Sequence, residues 1–319
     1  MESTFLYNIQ DAVIWDWRVA TDLFVGGIGV GAFLFSFVLW RFGGEAYRGL
    51  ARTASIITPI MVSLGLLLLF WKLGNRWIAY QMMLNVSPAS MMWWGASVQG
   101  VFVALAALFA WRLFFPDSGL LAFIKTAWVG WIGAVLAVLI GLYHGLLIAT
   151  IGTYPVWASA GLIMASLALF LATGPAAAFL IHRIVGSNRE AKNMNQSDLL
   201  RPLGFLLAGA SILVLAALAA WWFDLTFGSV RDQDALAAVM NAYGAVLLLA
   251  IVFGLLLPIV LLLRASMKSR DGNEAVSPTL VTACCVLILA AGFTIRYAAV
   301  LGGQIDLPDA HYAVMEPVR

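Results

Sequence analysis

Asp22, Lys72, Tyr143, His144 and Arg296 are ionisable or phenolic side chains set in stretches that are otherwise almost wholly apolar. A carboxylate, an imidazole, a phenol and two cations can together donate hydrogen bonds to a carbonyl, balance negative charge and exchange protons with a reacting group. Such groups are expensive inside an apolar run, which marks them as candidates for function unless they reach out from a helix end. Each has a bland counterpart: Lys72 and Arg76 as interfacial anchors, Asp22 as the structural partner of Arg296 or Lys72, His144 as a satisfied core imidazole, Tyr143 as an interfacial aromatic.

The elements that must position these residues follow from composition. The chain has 319 residues, 63% hydrophobic and 11% charged, with mean hydropathy +0.95. That is far more apolar than a soluble domain and excludes one. The net charge of +2 and the lack of a basic block with interleaved aromatics make nucleic acid an unexpected partner. Apolar runs of membrane-crossing length occur at 20–40, 54–72, 92–115, 124–150, 156–182, 203–224, 235–263 and 275–301. None has the alternation of a barrel strand, so the fold class is an all-α integral membrane protein with eight transmembrane helices, arranged as two four-helix bundles. The two cysteines, Cys284 and Cys285, are adjacent and suit neither a disulfide nor a clustered metal site. Glu2, Asp11 and Asp16 precede Arg18 without an early apolar region, so the first span is expected to act as its own uncleaved insertion signal.

Twelve of the eighteen Lys and Arg residues follow spans 1, 3, 5 and 7, and six lie on the other side. The richer side is expected to be cytoplasmic, with both termini outside. The polar connection 183–202 splits the chain into 1–182, holding spans 1–4 plus span 5, and 203–301, holding spans 6–8 that pack with span 5; residues 302–319 form an external tail. A weak echo between Val30-Gly31-Ala32-Phe33-Leu34 and Ala176-Ala177-Ala178-Phe179-Leu180 hints at an internal repeat.

With alternating spans, Asp22, Lys72, Tyr143, His144 and Arg296 share the outer level, beside an interfacial segment carrying Asn75, Arg76, Trp77, Tyr80, Gln81, Asn85 and Ser90. The inner half is mostly aliphatic, with no continuous chain of carboxylates. This asymmetry suits a site that takes a lipophilic ligand from the bilayer and handles its protons at one face, and a quinone fits. The run Gly26-Gly27-Ile28-Gly29-Val30-Gly31 reads first as close helix packing and secondly as room for a ring beside Asp22. His144, His182 and His311 fall at different levels, so no two could clamp one haem.

The stretch from Trp17 to Gly27, continuing through Gly29, Gly31 and Ala32, resembles the first-helix signature of the polysulfide reductase membrane subunit family, the NrfD type. Leu73-Gly74-Asn75-Arg76, Asn85 to Ser90 with Trp94-Gly95, Tyr143 with Gly145, Pro155 and Trp157, and Arg296-Tyr297 with Gly302-Gly303-Gln304 are similar to later motifs of that family. The resemblance implies a membrane subunit of a complex iron–sulfur molybdoenzyme in the bacterial cytoplasmic membrane. Electrons would pass between the quinone pool, menaquinone or ubiquinone, and a four-cluster ferredoxin-like iron–sulfur subunit that serves a molybdopterin catalytic subunit. Neither haem nor an iron–sulfur cluster is expected on this chain, and no activity is expected from it alone. The resemblance maps the family's quinone site onto Asp22 and Tyr143. With the polar residues that share their level, the expected site comprises Asp22, Gly26, Lys72, Tyr143, His144 and Arg296, with Asp22 and His144 in proton exchange, and Arg76, Trp77, Tyr80 and Asn85 are expected to dock the iron–sulfur partner. Departures occur at Asp22, Lys72 and His144, where relatives commonly carry other residue types. The rival reading is a secondary transporter for a small anion, bound by Lys72, Arg76 and Arg296.

Overall fold

The computed structural model describes residues 15–72, 84–116, 125–151, 154–185, 196–270 and 275–305. Eight helices in it are long and apolar enough to cross a membrane. They are α1 (Trp17–Phe42), α2 (Arg48–Lys72), α3 (Met91–Phe114), α4 (Thr126–Ala149), α5 (Ala160–Val185), α6 (Gln196–Thr226), α7 (Val230–Arg270) and α8 (Pro278–Gly302). The expected all-helical membrane fold is therefore present, and the chain is a multi-pass membrane protein.

Local chemistry sets several helix ends. Asp16 caps α1 by accepting from the Arg18 backbone N–H at 3.0 Å, and Ser229 with Asp232 forms a capping box at the start of α7. The fifth apolar run starts at residue 156, but α5 begins at Ala160. The turn that replaces its first residues holds Pro155 and buries Trp157, whose indole N–H donates to the Ala299 carbonyl at 2.8 Å. Span 7 is longer than its apolar run. Inside it Val252–Leu256 widens into a π turn just before Pro258, which has no N–H to continue the ladder and whose ring needs space in the preceding turn.

Helices α1 and α5 are the axis of the molecule. In their most apolar windows 67% and 78% of residues are buried, against 33–44% in the other spans. Helix α1 packs on α2, α4, α5 and α8; α5 packs on α1, α2, α4, α6 and α8. Around that axis α2 meets α3, α3 meets α4, α6 meets α7, and α7 meets α8. The α1–α5 crossing depends on glycine. A Cβ on Gly31 would strike the Phe170 carbonyl, and one on Gly174 would strike the Gly31 backbone. The Gly27–Gly31 pair thus serves packing, since Gly27 accepts the Phe170 ring, while Gly29 faces Thr58 and Val62 of α2.

Contacts between helix ends define two levels. The start of α1 meets the end of α8 where the Gln304 amide donates to the Trp15 carbonyl at 2.6 Å and accepts from the Trp15 N–H at 2.8 Å. At the other level the Arg52 Nε–H of α2 donates to the Leu113 carbonyl of α3 at 3.0 Å, and Arg183 of α5 donates to the Pro278 carbonyl at 2.9 Å.

Candidate functional site

Asp22, six residues into α1, is 4% exposed, and His144 of α4 and Arg296 of α8 are 1% and 5% exposed. Helices separated widely in sequence therefore bring a carboxylate, an imidazole and a guanidinium into the protein interior at one level. Gly26 marks their meeting point: a Cβ there would lie 3.4 Å from His144 Cε1 and 3.7 Å from Asp22 Oδ1. Gly65 of α2 closes the other side, where a Cβ would come to 2.5 Å from Asp22 Oδ1. Small residues on two helices make the space that the carboxylate occupies.

Phe170 of α5 is the centre of the cluster, and no sequence motif pointed to it. The His144 ring meets it edge to face with centroids 5.2 Å apart, and the Arg296 guanidinium sits 4.5 Å from its centroid. Arg296 is also anchored by donating to the Ser166 carbonyl at 2.9 Å. A cation over an aromatic face gains electrostatic stabilisation in a dry site, which offsets part of its lost hydration. Asp22 and Arg296 attract each other through this interior, yet no ion pair within 4.0 Å closes between them. The Nδ1 of His144 is buried without a hydrogen-bond partner among the described residues. Such an atom loses its hydration with nothing in return unless a ligand or water supplies the partner. A gap of about 10 Å³ beside Arg296, lined by Leu23, Leu162 and Ile295, is on the scale of one water.

Tyr143 is half-buried and lies against Gly95 of α3, where any Cβ would overlap the phenol. Its hydroxyl is within electrostatic reach of Asp22 and makes no hydrogen bond among the described residues. Asp22, Gly26, Tyr143, His144 and Arg296 are thus brought together. Lys72 is set apart: its ammonium lies 4.7 Å from the Trp15 ring centroid, within the charge field of Asp16 and Arg18. Burial pushes the Asp16 carboxyl up, but hydrogen bonds from the Arg18 side chain and backbone and the charges of Lys72 and Arg18 outweigh this and hold it below its ordinary value. Of the cations of the transporter reading, Lys72 and Arg296 belong to different groups, and Arg76 lies outside the described residues. Trp77 and Tyr80 also lie outside them, and Asn85 is exposed.

The pattern for a polysulphide reductase membrane protein, NrfD, matches residues 6–308. The chain belongs to the polysulphide reductase NrfD family. Protein NrfD of Escherichia coli (strain K12) is 25% identical over 331 residues, covering 96% of this chain and all of that one. A constituent chain of the polysulfide reductase of Wolinella succinogenes is 25% identical over 191 residues, 55% of this chain and 59% of its own length. Membership covers both the α1 and the α8 contributions to the cluster, because the match runs past residues 22 and 296. Phe170 and Gly65, which touch the cluster, were not singled out by the sequence reading, whereas Gly95 was quoted there only as part of a motif. Each carries no chemistry of its own and becomes informative only once the helices are packed.

Proposed function

We propose that this NrfD-family chain is the haem-free, quinone-reactive membrane subunit of a redox complex, exchanging electrons between the membrane quinone pool and an iron–sulfur subunit that serves a molybdopterin oxidoreductase. The observation that carries the reading is the buried Asp22–His144–Arg296 group with Tyr143 beside it, rich in proton-exchanging chemistry and short of internal partners. The name of the Wolinella succinogenes relative, a constituent of polysulfide reductase, supports a place in such a complex.

The donor set fits a ring carbonyl, because Tyr143 brings a hydroxyl and His144 an unpartnered ring nitrogen. A quinone, when bound, supplies two-electron, two-proton chemistry at its carbonyl oxygens. Tyr143 or His144 donates a hydrogen bond there and orients the ring. Asp22 takes up or releases the proton, and Arg296, held by Ser166 and Phe170, balances negative charge without leaving its place. The surrounding Leu23, Ile148 and Leu169 keep bulk water away from the exchange.

The reading also carries spans 1–4 and 5–8 as two groups joined across 183–202, the polar cluster at the outer face of the bacterial cytoplasmic membrane, and both termini outside. The 73–90 segment, with Arg76, Trp77, Tyr80 and Asn85, docks the iron–sulfur subunit. The test is quinone-coupled turnover of the assembled complex carrying Asp22→Asn, Tyr143→Phe or His144→Ala. Losses in these variants with intact assembly are expected; unchanged turnover in all three overturns the site.

A further inference from the structure

A cavity of about 570 Å³ lies at the opposite level from Asp22, between the first turns of α2 and the last turns of α3 and α5. Gly49, Arg52, Thr53, Ile56, Ile57 and Ile60 form its α2 wall at helical spacing, so one face of the helix runs from a polar head to an apolar slot. At the head, His182 Nδ1 shares a 2.8 Å hydrogen bond with Thr53 Oγ1. Arg52 is oriented there by its Nε–H bond to the Leu113 carbonyl, with its guanidinium 5.8 Å from the Phe114 ring centroid. That bond uses one edge of the fork, and the Arg52 side chain makes no other hydrogen bond among the described residues. Along the slot, Ile56 is 41% and Ile60 54% exposed, so its side wall opens to the outside of the helical assembly.

We propose that this cavity binds the phosphodiester head of an anionic phospholipid, with Arg52 as the anion ligand and one acyl chain along Ile56 and Ile60. The chemistry decides between amphiphiles. A planar guanidinium presents paired N–H donors that match two phosphate oxygens. Among the described residues no acidic side chain lines the cavity, so none there repels a phosphate. By the alternation of spans this level is the one expected to carry twelve of the eighteen cations, and basic pockets between helices at such a face select anionic head groups. The volume lies in the range that encloses a head group rather than a single ion.

The experiment uses the full chain, with its co-purifying subunits, delipidated in mild detergent and titrated with phosphatidylglycerol or phosphatidylcholine of identical acyl chains; bound lipid is counted by native mass spectrometry. Phosphatidylglycerol is expected to bind about tenfold more tightly, and Arg52→Gln to remove that preference. Because Arg52 also ties α2 to α3, Ile60→Trp, at the exposed wall, is the second variant and is expected to lower retention of the lipid with the polar head intact. Equal binding of the two lipids, a preference that survives both variants, full displacement by inorganic phosphate alone, or recovery of quinone from this cavity overturns the proposal. The readout is lipid retention and not turnover, so its failure is distinct from failure of the quinone reading.

Discussion

His144 and His182 are the same residue type, both buried, at opposite levels of the helical assembly. His182 has a hydroxyl partner, Thr53, supplied across the α2–α5 contact, whereas the Nδ1 of His144 has none among the described residues. The arginines repeat the contrast: Arg183 is tied to Pro278 and Thr282, while Arg296 makes one backbone hydrogen bond and rests on a ring. A polar group that the fold has satisfied holds helices together. One buried with capacity to spare is a candidate to bind an arriving ligand, because leaving it bare costs stability.

The contrast breaks most sharply at Asp22. Asp22→Asn keeps the shape and removes the exchangeable proton, so quinone-coupled turnover of the assembled complex is expected to fall by about 10² or more; a steady-state quinol assay with matched subunit content checks it. Next in size is the axis that carries both levels. Gly31→Val drives a branched side chain into the Phe170 carbonyl, and the thermal midpoint in detergent should drop by the equivalent of about 1–3 kcal/mol or the chain should fail to accumulate. Tyr143→Phe removes a single hydroxyl next to Asp22 and is expected to lower turnover about tenfold with the midpoint nearly unchanged.

The two histidines give the most direct comparison. His144→Ala should depress turnover more than His182→Ala, and His182→Ala should depress the thermal midpoint more, by about 1 kcal/mol, through the lost Thr53 bond. The reverse ordering would dissolve the distinction between satisfied and poised groups. The smallest effect concerns Asp16. A carboxyl held below its ordinary value adds stability above the ordinary carboxylate range and loses it as pH falls through the depressed value. The midpoint of the parent chain should therefore decline in acid slightly more than that of Asp16→Asn, which has no such carboxyl to protonate.

Much of this was legible in the residues. The eight apolar runs became eight helices because, without water, a backbone satisfies its own hydrogen bonds helically. Alternation of spans put Asp22, His144 and Arg296 on one level before any contact was known. Level is one coordinate only. Lys72 shares it, yet Trp15 and Asp16 hold Lys72 in a separate group, since the angular position of a side chain around its helix depends on which neighbours each face meets. Phe170 and Gly65 had no signature for the same reason, and the cavity beside Arg52 was invisible because it is the space between helices.

Composition and spacing by themselves determined the membrane class, the number of spans and the short set of polar residues worth attention, all of which follow from the one-dimensional cost of placing groups in hydrocarbon. Only the tertiary structure decided which of those residues meet. The glycines of α1 and α5 let two backbones approach closely, and that approach sets how far Phe170 reaches between His144 and Arg296 and leaves Asp22 against Gly65.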